Sequence, residues 1–250
     1  MVLRAWLLVS TAAVAAIGPH ARAELSGPIS AAPAEAPFLV AGTAPRGIEG
    51  VPGPAHDAWR GSTETPLLLS RTPPLYEGDP MDDGVRPDGS IRLLRTGDDI
   101  LVRLAWEDPT DSRPRPPESI PDAGDDHVYP AHSMDIERFA DGACVMVPRT
   151  RGPRDVFPSL MMGDAADPVD LYYWNRTLGF ERLEARGRGT TSRTGEAFPG
   201  DSRRTSRGWV VVVRIPDVPP GTPISVAFWD GGRDHRDGLK FFSPWYEVRP

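Results

Sequence analysis

From residue 66 onward the chain alternates short apolar runs with turn residues. Residues 66–69 read as a first strand. Residues 91–94 and 100–106 flank Gly97-Asp98-Asp99, a hairpin signal. Further strands are expected at 143–147, 169–174, 209–215, 224–229 and 245–248. Residues 210–213 are four consecutive valines, the mark of a strand covered on both faces. Helical periodicity is thin. Residues 133–139 can form one short helix capped by Ser133 or Asp135. Two Pro-rich stretches, 108–122 and 148–158, are expected as long loops, which in a compact domain are usually functional or disordered. The pattern predicts an all-β fold: an antiparallel β-sandwich with a few short helices and long loops. The 25 glycines and 29 prolines agree with so many turns.

The first residues differ in kind. Arg4 precedes an uncharged, mostly apolar run over 5–18, and Ala21-Arg22-Ala23 has the small-x-small spacing of a signal-peptidase site. The expectation is a signal peptide over 1–23 cleaved after Ala23, with the rest of the chain exported. The run is shorter than the ~20 residues a spanning helix needs, so no membrane span is expected after cleavage. Residues 24–54 are rich in Pro, Ala and Gly and read as an extended lead-in. A single domain is expected over 55–250.

Charge and cysteine content narrow the chemistry. The formal net charge is −7, which disfavours nucleic acid and anionic lipid as partners. Cys144 is the sole cysteine. It excludes an intrachain disulfide, C-x-x-C-H haem attachment and an iron–sulfur cluster held by this chain alone. Within its apolar run it reads as a small buried hydrophobe. No G-x-S-x-G, H-E-x-x-H or Gly-rich phosphate loop is present. His127 and His132 fall in an Asp- and Pro-rich loop, and Asp125-Asp126 reads as a turn pair.

Two segments stand apart. One is Phe157-Pro-Ser-Leu-Met-Met-Gly-Asp-Ala-Ala-Asp-Pro-Val-Asp-Leu-Tyr-Tyr-Trp174; the other is Trp229-Asp-Gly-Gly-Arg-Asp-His-Arg-Asp-Gly-Leu-Lys-Phe-Phe-Ser-Pro-Trp-Tyr246. The second holds Lys240, the sole lysine among 28 basic residues. A surface cation is free to drift to arginine, but a site that needs a neutral amine is not, because arginine keeps its proton. Thioether and amine are both iron ligands. On residue types alone, Met161-Met162 read as core filler and Lys240 as a surface charge at a strand start rather than as ligands.

These segments resemble the haem-binding gamma subunit of ethylbenzene dehydrogenase and similar subunits of dimethyl sulfide dehydrogenase, selenate reductase and chlorate reductase. The first is similar to that family's Met-Gly-Asp…Pro-Val…Trp stretch. The second is similar to its Trp-Asp-Gly-Gly…Lys…Ser-Pro-Trp-Tyr ending, and Arg207-Gly-Trp-Val-Val-Val-Val-Arg214 to its Gly-x-Trp-x-Val strand. The likeness covers roughly residues 55–250. It implies a sandwich like that of carbohydrate-binding modules and one non-covalent haem b. The implied axial ligands are Met162, with Met161 in reserve, and Lys240. Trp174, Trp229, Phe241, Ser243 and Trp245 are the implied haem neighbours.

The role implied is a periplasmic electron-transfer subunit, not itself an enzyme. It would relay electrons between the iron–sulfur subunit of a molybdenum oxidoreductase and a soluble periplasmic cytochrome or similar carrier. Two places depart from the family pattern. Val145-Met-Val-Pro148 stands where a Gln before Phe-Pro is usual, and the Arg/Gly/Thr-rich stretch 186–207 is expanded. Two alternative readings remain: a carbohydrate-binding module using Trp174, Trp209, Trp229 and Trp245 as stacking platforms, and a free-standing haem carrier or sensor.

Overall fold

A computed structural model describes residues 36–48, 50–74, 81–113, 139–196, 198–235 and 238–250. The leader segment, the 133–139 helix, Asp125-Asp126, His127 and His132 lie outside the described residues, apart from Phe139. In chain order the strands are β1 (Phe38–Thr43), β2 (Thr65–Pro66), β3 (Ser70–Arg71), β4 (Gly89–Thr96) and β5 (Asp99–Glu107). Next come β6 (Gly142–Pro148), β7 (Val169–Asn175), β8 (Gly179–Ala185), β9 (Ser192–Arg193) and β10 (Gly200–Arg204). The series ends with β11 (Gly208–Ile215), β12 (Pro223–Trp229), β13 (Phe241–Phe242) and β14 (Tyr246–Arg249). The described helices are two short 3-10 turns, Asp57–Gly61 and Gly231–Arg233.

The strands pair in the order β10-β11-β5-β4-β1-β14-β12-β6-β7-β8-β9 and curl into a sandwich. One layer is built around β11, β5 and β4, the other around β12, β6 and β7. β1 joins them: Phe38–Val40 pair with β14 and Ala41–Thr43 with β4, both in parallel. The antiparallel expectation therefore holds everywhere except at β1. That strand falls inside the 24–54 lead-in, so part of that segment is built into the sandwich. Its pattern escapes a sequence reading because only Leu39 and Ala41 of its six residues are buried. Residues 66–69 also differ from expectation. Only Thr65–Pro66 pairs with β4, and the chain then crosses to the other layer, where Ser70–Arg71 pairs with β13.

The main core lies between the layers, where the period-two pleat points Ile91, Leu104, Trp106, Val145, Tyr172, Trp174, Trp209, Val211 and Phe228 inward. Trp106 stacks on Phe228 at 4.7 Å and meets Trp174 edge-on at 5.9 Å. The outer faces are also covered. Val212, Leu94 and Leu101 lie under Ala58 and Trp59, which explains the unbroken valine run. On the opposite outer face, Cys144, Met146, Leu171 and Ala227 lie under the 149–168 loop and Trp245. Strands β6 and β12 are therefore apolar on both sides, and the second covered face is where the site forms.

Candidate functional site

The long β6–β7 loop crosses the outer face of β6 and β7. Trp245 anchors it by donating its indole N–H to the Pro158 carbonyl at 2.8 Å. Arg154 ties its far end to Asp167 at 2.9 Å. Between these anchors the chain turns sharply. The Gly163 amide donates to the Ser159 carbonyl at 2.8 Å, and Met162 and Gly163 both take left-handed backbone, with φ 69° and 71°. A methionine there costs about 1–2 kcal/mol over an ordinary conformation. Gly163 has no alternative, since a Cβ would sit 2.6 Å from the Asp167 carbonyl oxygen. Gly163→Ala is expected to lower folding stability by about 1–3 kcal/mol, measured by denaturant unfolding. Loss below about 0.5 kcal/mol would mean the turn relaxes freely.

This turn aims Met162 and Met161 differently. Met162 packs on the covered outer face, while Met161 is exposed. Thr191 donates its hydroxyl to the Met162 Sδ at 3.7 Å, and the Gly187 amide donates to the Met162 carbonyl at 2.9 Å. Both partners come from the Arg/Gly/Thr-rich stretch 186–207, which the sequence singled out without assigning a task.

Lys240 enters from the other wall. Its backbone is fixed by the buried Thr72: the Lys240 amide donates to the Thr72 hydroxyl at 2.9 Å, and its carbonyl accepts from the Thr72 amide at 2.9 Å. Its ammonium lies 5.4 Å from the centroid of the Trp229 ring, which Tyr173 meets edge-on at 5.4 Å. Met162 and Lys240 line the same cleft, walled by Cys144, Met146, Leu160, Leu171, Ala227, Trp229 and Phe242. Burial pushes the Cys144 thiol up to about 12, against an opposing pull from Lys240, so the thiol stays protonated at neutral pH. The cleft thus offers one thioether and one amine within almost wholly apolar walls. That donor set fits a haem iron held between a soft sulfur and a neutral nitrogen, with walls able to exclude water.

Comparison with known proteins bears on this geometry. No family model matches the chain. The chlorate reductase subunit gamma of Ideonella dechloratans is 30% identical over 173 residues, covering 64% of this chain and 64% of that protein. The dimethylsulfide dehydrogenase subunit gamma of Rhodovulum sulfidophilum is 29% identical over 207 residues, covering 74% of this chain and 69% of that protein. The chain is thus similar to the gamma subunits of these two complexes. A Haloferax mediterranei protein named as a candidate respiratory nitrate reductase heme subunit is 25% identical over 207 residues, covering 77% of this chain and 66% of that protein. The chain spans less than two thirds of the length of the chlorate reductase subunit it matches. Among solved structures, a family 9 carbohydrate-binding module from Caldicellulosiruptor kristjanssonii in complex with cellotriose superposes with a TM-score of 0.42 at 8% identity, over 85% of this chain and 93% of that one.

Within the sandwich, the expected haem neighbours divide. Met162, Lys240 and Trp229 line the cleft, and Trp245 is buried in its supporting cluster. Trp174 and Phe241 do not reach it. Both point into the inter-layer core, because adjacent strand residues face opposite ways. Their neighbours Tyr173 and Phe242 take the cleft side instead. Ser243 is a structural residue: fully buried, it accepts the Val226 amide at 3.0 Å and donates to the Pro244 carbonyl at 2.8 Å. Sequence reasoning missed Thr191, Leu160 and Phe242. Only the strand register, which the sequence does not print, could have separated Phe242 from Phe241.

Proposed function

We propose that this chain is a b-type cytochrome subunit that holds one non-covalent haem between the Met162 thioether and the Lys240 amine. The observation that carries the reading is the convergence of these two side chains, distant in sequence, on one apolar cleft. The relatives support it: two are gamma subunits of a reductase and a dehydrogenase, and the third is named as a heme subunit. Haem supplies one-electron transfer. The chain's own residues supply the rest. Leu160, Met146, Leu171 and Phe242 exclude water, Thr72 fixes the lysine backbone, and the 159–163 turn presents the thioether. Methionine favours the ferrous state and so raises the potential.

On this reading the chain is not itself an enzyme. It relays electrons between the iron–sulfur subunit of a molybdenum oxidoreductase complex and a soluble periplasmic carrier. Export by the 1–23 leader, with haem inserted afterwards, belongs to the same proposal. Among the described residues no helix is long and apolar enough to cross a membrane. The carbohydrate-binding reading is less well supported. Trp174, Trp209 and Trp245 are 3–5% exposed and cannot present a ring face to a sugar. Titration of the haem-free chain with haemin tests the proposal. The Soret band should grow to a sharp break at one haem per chain, with a low-spin spectrum at the end point. Featureless, non-saturating uptake would refute it.

A further inference from the structure

At one end of the sandwich three aspartates converge from three strands. Asp108 follows β5, Asp141 precedes β6, and Asp230 follows β12. All three are buried, and one carboxylate oxygen from each lies within 4.8 Å of the other two. Asp141 is well satisfied: its Oδ1 accepts the Gly231 amide at 3.0 Å, and its Oδ2 accepts the Ser112 amide at 2.9 Å and the Trp209 indole N–H at 3.0 Å. Asp108 is not. Its Oδ1 takes the Thr110 amide and hydroxyl at 2.8 and 3.0 Å, but its Oδ2 is fully buried without a hydrogen-bond partner among the described residues. Asp230 Oδ1 makes no full hydrogen bond among the described residues, although the Gly232 and Arg233 amides face its carboxylate, and its Oδ2 meets Arg233 at 3.2 Å. Buried acceptors left without donors are rare and need an account.

We propose that Asp108, Asp141 and Asp230 bind one Ca2+ ion that clips the two layers together. The donors are all hard oxygens, with no imidazole or thiolate to select zinc or copper. Calcium takes oxygen ligands at ~2.3–2.6 Å, so three oxygens on one ion lie at most about 5 Å apart, as these do. The ion adds positive charge to a buried trio of which, among the described residues, Asp230 alone has an ion pair. Local packing is built around the spot. A Cβ on Gly231 would sit 1.7 Å from the Phe139 carbonyl oxygen, and one on Gly232 would sit 2.6 Å from the Thr110 hydroxyl, so the Gly-Gly pair lets the Asp230 loop close on both partners. This inference is independent of the haem reading.

Proton uptake by the trio is the competing account, and it predicts no calcium binding. Burial, then the Asp108 charge among other contributions, pushes Asp141 up to about 7 and Asp230 up to about 6. The charged groups facing them are Asp108, Arg233 on Asp230, and Arg204, which donates to the Asp108 carbonyl; His235, beside the Asp230 amide, is held neutral by burial and nearby arginines.

The test uses the full chain, stripped with EDTA and melted at pH 7.5 with and without 10 mM CaCl2, with calorimetric titration at the same pH. The expected result is one Ca2+ per chain and a melting point at pH 7.5 raised by roughly 5–10 °C, which is what ~100-fold excess over the dissociation constant gives a domain of this size. Asp108→Asn and Asp230→Asn, two variants so that one may fail to fold, should weaken binding more than tenfold. No binding, an equal response to 10 mM MgCl2, or unchanged binding in a folded Asn variant would each overturn the proposal.

Discussion

Lys240→Arg is expected to turn a low-spin, six-coordinate haem spectrum into a high-spin or water-ligated one, although the charge is kept. Iron takes a lone pair, which lysine offers once its proton leaves and arginine does not offer at any accessible pH. The cleft walls around the amine are apolar. The backbone at 240 is fixed by two hydrogen bonds with Thr72 that any residue type keeps, so the substitution changes the ligand and not the strand. A lysine that served only as a cation over Trp229 would tolerate arginine, which makes the same ring contact. Absorption and electron paramagnetic resonance at neutral pH separate the cases. An unchanged low-spin signal would remove Lys240 as the ligand.

The second large effect concerns two adjacent methionines. Met162→Ala should abolish the six-coordinate spectrum, while Met161→Ala should leave it almost intact. The left-handed backbone at 162 and 163 sends the two side chains apart, Met162 to the cleft wall and Met161 to the surface. Alanine pays the same left-handed backbone cost as methionine, so the variant should behave as a modest cavity mutant, with a loss of about 2–3 kcal/mol. Loss of signal in a folded protein would therefore report the ligand. Equal spectra from the two variants, or damage from Met161→Ala alone, would show that the turn presents the other sulfur.

Much of this architecture was legible in the sequence because the relevant strands are covered on both faces. β6, β11 and β12 print as unbroken apolar runs, and β4 and β5 print as a hairpin around Gly97. The strands that escaped are edge or bridging strands. β8 and β10 carry Glu181, Arg182 and Arg203, whose charges suit one solvated face, and cross-strand pairs such as Arg193–Glu181 replace apolar burial. β1 was hidden by its Pro- and Ala-rich surroundings. At the site, Met162 and Lys240 were legible as unusual residues, yet their meeting depends on a sandwich that closes from β1 to β14. Trp174 and Phe241 show the limit plainly: a one-residue step in register moves a side chain to the other face.

The most direct test is the haem content of the full chain purified after export with adequate haem supply. The account predicts a red protein with one protohaem per chain by pyridine haemochrome assay, all of it leaving the polypeptide in acid–acetone. A colourless protein, or haem that stays with the polypeptide on extraction, would contradict it.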